Sequence, residues 1–197
     1  MIDKISIRKH ILSYRDAIPK EIKKIKDEKI KDTLVELQIF KNAKRILFYA
    51  SFRNEVDTFD LIKYSLSKSK DIYLPKVDVK NNELLLYQIK DTSELSKGYL
   101  GILEPDVSEE RRIELERLDL VIVPGVAFDY ECNRLGYGKG FYDKLLAKIK
   151  SPAIEMHIYK KIGLAYEEQI IKAIPSLSHD IKMDMIITDE KIIECPN

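Results

Sequence analysis

The stretch VIVPGVAFDYECNRLGYGKGFYDK, residues 121–144, decides how this chain reads. It holds four of the seven glycines, Gly125, Gly136, Gly138 and Gly140. Glycine is used where the backbone must take positive φ or let a ligand approach bare amides. The run DLVIVP leading into the stretch is short, unbroken and rich in β-branched residues, so a buried strand is expected there. From Tyr142 onward, Leu145, Leu146 and Ile149 recur at helical spacing. The order is therefore strand, long loop, glycine turn and helix. It points backbone N–H groups and the positive end of a helix dipole at one spot, which suits a phosphate.

The glycine spacing is G-x-G-x-G. A Walker A loop needs Ser or Thr after Gly-Lys, but Lys139 is followed by Gly140, and a dinucleotide fingerprint would need its third glycine at Phe141. By spacing alone, a plain turn and a phosphate cradle are both open. The neighbours favour the cradle, because Arg134 and Lys139 bring positive charge and Asp143 brings a hard oxygen suited to Mg2+.

The segments PGVAFD and RLGYGKGFYD, four residues apart, closely resemble the signature of the 5-formyltetrahydrofolate cyclo-ligase family. Lys4 and Arg8 have that family's K-x-x-x-R spacing near the N-terminus. IGLAYEEQI, IPSLSHD and KMDMIIT follow its pattern in order toward the C-terminus, so the resemblance spans nearly the whole chain. One departure is Cys132, where the family usually has glycine. The resemblance implies a Rossmann-like three-layer α/β/α fold with a largely parallel sheet, in one domain covering residues 1–197. It also implies ATP-dependent conversion of 5-formyltetrahydrofolate to 5,10-methenyltetrahydrofolate, with release of ADP and phosphate and with Mg2+ as the cofactor.

Composition sets independent bounds. At 197 residues, 45% hydrophobic and 34% charged, the chain is long enough for one sizeable core and is ordinary for a soluble protein. A net charge of +1 gives no global field for nucleic acid. Neither Cys132 nor Cys195 sits in a C-x-x-C pair, so neither a zinc site nor a disulfide framework is expected. No run nears the roughly 18 apolar residues needed to cross a membrane, and a cytoplasmic monomer is the expectation. His10, His157 and His179 show no metal-triad spacing.

In chain order, residues 3–17 read as an amphipathic helix with Ile7, Ile11, Leu12 and Tyr14 apolar, and with Lys4 and Arg8 on one face. A solvated face explains that pair; the resemblance instead puts both on ATP phosphates. Pro19 suits the start of a second helix running through Phe40, with Ile22, Ile25, Ile30, Leu34 and Leu37 as its core face. Residues 45–50 form the first buried strand, followed by a polar loop and a helix capped by Thr58. Ligands in open α/β sheets gather at the carboxyl ends of strands, so this loop is a candidate wall. Glu55 in it is either a helix-end carboxylate or, by the resemblance, a substrate contact.

Strands are expected at 71–75 and 84–89, a helix at 108–118, a strand at 161–166 and a short helix at 167–172. A final strand at 183–188 is interrupted by Asp184. A buried carboxylate needs a partner, so Asp184 is either hydrogen-bonded structure or, by the resemblance, a second Mg2+ carboxylate opposite Asp143.

By the resemblance, ATP contacts Lys4, Arg8, Arg134, Leu135, Gly136, Tyr137, Gly138, Lys139, Gly140, Phe141 and Tyr142. The folate substrate meets Ala50, Glu55, Tyr137, Gly138, Lys139, Gly140 and Phe141. Lys139 and Arg134 stabilise the charge of phosphoryl transfer. Two other classes fit parts of the pattern: a non-catalytic nucleotide-binding module, and a sugar-phosphate isomerase or CoA-transferase relative on a similar sheet.

Overall fold

The computed structural model describes residues 3–148, 160–175 and 180–195. The strands in chain order are β1 (Arg45–Leu47), β2 (Asp71–Asp78), β3 (Glu83–Ile89), β4 (Leu95–Lys97), β5 (Leu103–Pro105), β6 (Arg112–Ile113) and β7 (Leu120–Val123). They continue with β8 (Ala127–Asp129), β9 (Arg134–Leu135), β10 (Lys160–Leu164), β11 (Ile170–Ile171), β12 (Met185–Ile187) and β13 (Ile192–Glu194). The helices are α1 (Lys4–Asp16), α2 (Lys20–Glu36), α3 (Gln38–Asn42), α4 (Phe59–Ser67) and α5 (Phe141–Ala147).

The main sheet runs β13-β12-β10-β7-β1-β2-β3-β6. Its centre, β12-β10-β7-β1-β2, is parallel, and antiparallel strands close both sides. This is the expected mixed α/β fold with a large, mostly parallel sheet. Both faces are covered at the centre, so β7 is apolar and buried along its whole length. In β7, Leu120 and Ile122 face one core and Val121 and Val123 the other, as the period of two requires. Ile30 and Leu34 of α2, Phe40 of α3, and Leu61 and Ile62 of α4 fill the first core. Leu145 and Leu146 of α5 fill the second with Phe128. Helix α1 packs Ile7 and Ile11 on the β8–β9 hairpin at Ala127 and Leu135.

Several expectations are corrected. The second helix does not run unbroken to Phe40: Leu37 is extended (φ −64, ψ 135) and separates α2 from α3. Ile22 and Ile25 are exposed, so its core face narrows to Ile30 and Leu34. Tyr14 of α1 is also exposed, and Arg15 is buried in its place. Residues 108–118 are not a helix. Short 3-10 turns at Glu109–Arg111 and Leu115–Arg117 flank β6, where Ile113 pairs with Leu86 on the sheet's open side. Likewise, residues 167–172 give a 3-10 turn and then β11, which pairs with β8. Edge pairing outweighs helix propensity in both places, because an apolar residue there completes a sheet.

Cys132 and Cys195, expected to be unpaired, form a disulfide with Cα atoms 5.8 Å apart and a sequence separation of 63. β13 turns back antiparallel on β12 and brings Cys195 to the tip of the β8–β9 hairpin. There Met183 donates its N–H to the Cys132 carbonyl at 2.9 Å. Cys132 has φ +65, a left-handed conformation that glycine takes most readily. The expected glycine and the observed cysteine thus serve the same loop path.

Candidate active site

The glycine turn emerges from β9 and ends in α5, with Gly138 at φ +98 and Gly140 at φ +72. Among the described residues, the amides of Tyr137 to Gly140 donate no hydrogen bond, so they are available to an anion. Lys139 is exposed on the same turn. Leu135 is core, buried against α1, and Phe141 packs edge-on to Tyr99 at 5.8 Å. Both therefore shape the turn. Arg8 Nε donates to the Gly136 carbonyl at 2.8 Å, and its guanidinium lies beneath Gly138. Lys4 pairs with Asp180 at 2.8 Å. Helix α1 is thus tied to the turn through Arg8, as the four-residue spacing allows.

Arg134 sits differently from its expected place on phosphate. Its side chain is almost fully buried, Nη1 donates to the Pro124 carbonyl at 3.2 Å and Nη2 pairs with Asp143. Its Nε has no partner among the described residues, and its Cζ lies 5.8 Å from the Tyr142 ring centroid. Arg134 clamps the start of α5 to the end of β7. The Tyr142 hydroxyl is also buried with no partner among the described residues, and burial raises its pKa strongly.

The second wall is the loop after β1, at the carboxyl end of the parallel strands. Ala50 is buried at its root. Thr58 Oγ1 donates to the Tyr49 carbonyl at 2.6 Å and receives the Ser51 N–H at 3.1 Å, drawing the loop closed. Glu55, 9% exposed, accepts from the Phe52 N–H at 2.8 Å and from the Tyr137 hydroxyl at 2.6 Å. Burial raises its pKa, while the Tyr137 and Phe52 donors and the charges of Arg15 and Lys23 pull it back. Asp57, not Glu55, accepts from the Phe59 N–H at the start of α4. Nor does the Thr58 side chain cap α4.

Asp184 does not join Asp143. It stands where β12 enters the sheet, accepts from the Lys161 N–H at 2.7 Å and pairs with Lys161 Nζ at 2.8 Å. Lys161 is level with Val121 at the start of β7, whereas Arg134 and Asp143 sit by Pro124 beyond its end. Three residues of strand separate the two levels by about 10 Å, too far for one ion to bridge. Among the described residues no group of three or more His, Cys, Asp or Glu could hold a metal. Asp143 offers one arginine-paired carboxylate, which fits Mg2+ only as an ion carried mainly by phosphates and water. His157 and His179 lie outside the described residues, and His10 is exposed against Tyr14.

Sequence reasoning missed Arg15, whose Nη1 donates to the Tyr137 hydroxyl at 2.8 Å. A signal was present: positions 4, 8, 11 and 15 form one helical stripe.

A family model described as the 5-formyltetrahydrofolate cyclo-ligase family matches residues 1–189. The probable 5-formyltetrahydrofolate cyclo-ligase of Schizosaccharomyces pombe is 36% identical over 169 residues, 81% of this chain and 82% of that protein. The 5-formyltetrahydrofolate cyclo-ligase of Mus musculus is 32% identical, over 77% and 76% of the two chains. The solved Aquifex aeolicus 5,10-methenyltetrahydrofolate synthetase has a TM-score of 0.84 at 35% identity, covering 98% of this chain and 93% of that one.

Proposed function

Because the chain belongs to the 5-formyltetrahydrofolate cyclo-ligase family and is an ATP-using enzyme that closes 5-formyltetrahydrofolate to 5,10-methenyltetrahydrofolate, we propose that the glycine turn and the Glu55 loop form its site. One observation carries this reading: the Tyr137 hydroxyl on the turn donates to Glu55, 82 residues away in sequence. Free amides and a cation lie on one side of that bond and a buried carboxylate on the other. Phosphates suit the first side, and the paired N–H groups of a pterin suit the second.

A formamide oxygen is a poor leaving group. Transfer of the γ-phosphoryl group onto it makes it phosphate, which departs with the C–O bond electrons once N10 attacks the formyl carbon; N10 loses its proton as the ring closes. No side chain need act as nucleophile. The protein positions the reactants and stabilises charge. The amides of Tyr137 to Gly140 and the Lys139 ammonium hold the phosphates. Lys4 and Arg8 lie on the same side, and Arg8 fixes the turn. Arg134 acts by holding Asp143 and the start of α5. Glu55 orients the pterin.

Mg2+ is proposed at Asp143, where it would neutralise charge developing between the β and γ phosphates. Asp143→Asn is then expected to move the Mg2+ activation midpoint up by roughly tenfold. Asp184→Asn should leave that midpoint unchanged and lower stability by about 1 kcal/mol, because Lys161 loses its charged partner. A shifted midpoint in Asp184→Asn, measured by activity against metal concentration, contradicts this assignment.

No helix among the described residues is long and apolar enough to cross a membrane. We take the enzyme to act on small molecules as a single-domain cytoplasmic monomer. The deciding experiment follows methenyl absorbance and ADP release while ATP, Mg2+ and 5-formyltetrahydrofolate are omitted one at a time. ADP release that persists without the folate defeats the proposal.

A further inference from the structure

The last turn of α1 places Arg15 behind the site. The residue is 2% exposed, which is rare for a guanidinium. Nη1 donates to the Tyr137 hydroxyl at 2.8 Å, Cζ lies 5.7 Å from that ring's centroid, and Nε has no partner among the described residues. A purely structural arginine would be expected to meet a carboxylate directly. Here the phenol stands between Arg15 and Glu55.

That arrangement has one possible polarity. Arginine can only donate, so the phenol oxygen must accept from Arg15 and its single proton is left for Glu55. Tyr137 O–H donates to Glu55 Oε1 at 2.6 Å, while the Phe52 N–H donates to Oε2 at 2.8 Å. Each carboxylate oxygen has about two acceptor positions, so one on each remains for a ligand carrying two adjacent donors. A direct Arg15–Glu55 pair would have consumed them. The phenol passes on the orienting effect and leaves the carboxylate able to bind. Tyr137 itself is 47% exposed, with its hydroxyl turned inward and part of its ring open to solvent.

We propose that Arg15 is a positioning residue for folate recognition, acting through Tyr137 to hold the Glu55 carboxylate where it accepts from the pterin. The inference rests on the reading that Glu55 meets the pterin. Its reach is confined to substrate binding: the pterin edge that carries the paired donors is the far edge of the ring from N5, whose formyl oxygen takes the phosphoryl group, so ground and transition states gain equally from the contact.

The test measures folate KM, kcat and ATP KM in Arg15→Met, Tyr137→Phe and the double variant. Each single change should raise the folate KM about tenfold, as for loss of a hydrogen bond on a charged group. Values of kcat and ATP KM should stay within about twofold. The double variant should be no worse than Tyr137→Phe, because Arg15 acts only through the phenol. An unchanged folate KM in a folded Arg15→Met or in Tyr137→Phe overturns the inference, as does a further rise when Arg15→Met is added to Tyr137→Phe. If Arg15→Met does not fold, Arg15→Gln, still polar but too short to reach the phenol, takes its place with the same expectations. Glu55→Gln separates the levels. If it too leaves the folate KM unchanged, the pterin reading falls and this inference with it; if it raises the KM while Tyr137→Phe does not, only the inference fails.

Discussion

Replacing Glu55 by Gln is expected to lower kcat/KM for 5-formyltetrahydrofolate by roughly ten- to 150-fold, the range set by one hydrogen bond to a charged group. The carboxylate receives Tyr137 and Phe52 from inside the protein and, on our reading, two pterin donors from outside. Glutamine keeps the shape but offers one acceptor oxygen and a donor nitrogen. Its nitrogen must then face a donor, whichever way the amide is turned. The phenol of Tyr137 cannot easily reverse its hydrogen bond, because Arg15 already donates to its oxygen. The loss should fall on the folate KM, with kcat and ATP KM little changed. Steady-state kinetics with each substrate varied in turn checks this. A variant that melts earlier yet keeps its folate KM would make Glu55 a structural carboxylate.

Reducing the Cys132–Cys195 bridge is expected to lower stability by about 4 kcal/mol, the chain-entropy value for a loop of this length. The closed loop spans 63 residues and includes β9, the glycine turn, α5, β10 and β12. Opening it frees the unfolded chain without removing any strand of the sheet. For a protein of this size the midpoint of thermal unfolding should fall by about 10 °C. Melting curves with and without a phosphine reductant test this, with Cys195→Ser as the control that should no longer respond to reductant. If alkylation finds two free thiols in the untreated protein and its melting ignores reductant, the bridge does not form in solution. Disulfides in cytosolic proteins are usually transient, so the same alkylation measurement on freshly lysed cells bears directly on the proposed location.

Much of the scaffold was legible locally. The unbroken run at 119–124 and the short apolar runs at 71–75 and 84–89 became β7, β2 and β3, because burial leaves a pattern within a few residues. Of the central turn's glycines, Gly138 and Gly140 take positive φ, a demand that side-chain-bearing residues meet poorly. Helix α1 was legible too, apart from Tyr14 and Arg15 exchanging inside and outside. The errors lie where a short segment had no strong pattern of its own. Residues 112–113 and 170–171 became strands because a neighbouring strand offered an edge, and Leu37 interrupts a helix whose sequence carries no glycine or proline.

By itself the sequence determined the class of fold, the glycine turn and the family resemblance, since each is written in neighbouring residues or in a specific motif. Tertiary structure alone decided which polar groups meet. It brought Tyr137 to Glu55 and Arg15, paired Cys132 with Cys195, buried Arg134 against Asp143, and set Asp184 at the opposite end of the strands with Lys161. The physical reason is that periodicity reports only which side of an element is apolar. A hydrogen bond or ion pair between residues 82 or 122 positions apart depends on strand order, register and the direction in which each strand enters the sheet, and these are settled by packing over the whole chain.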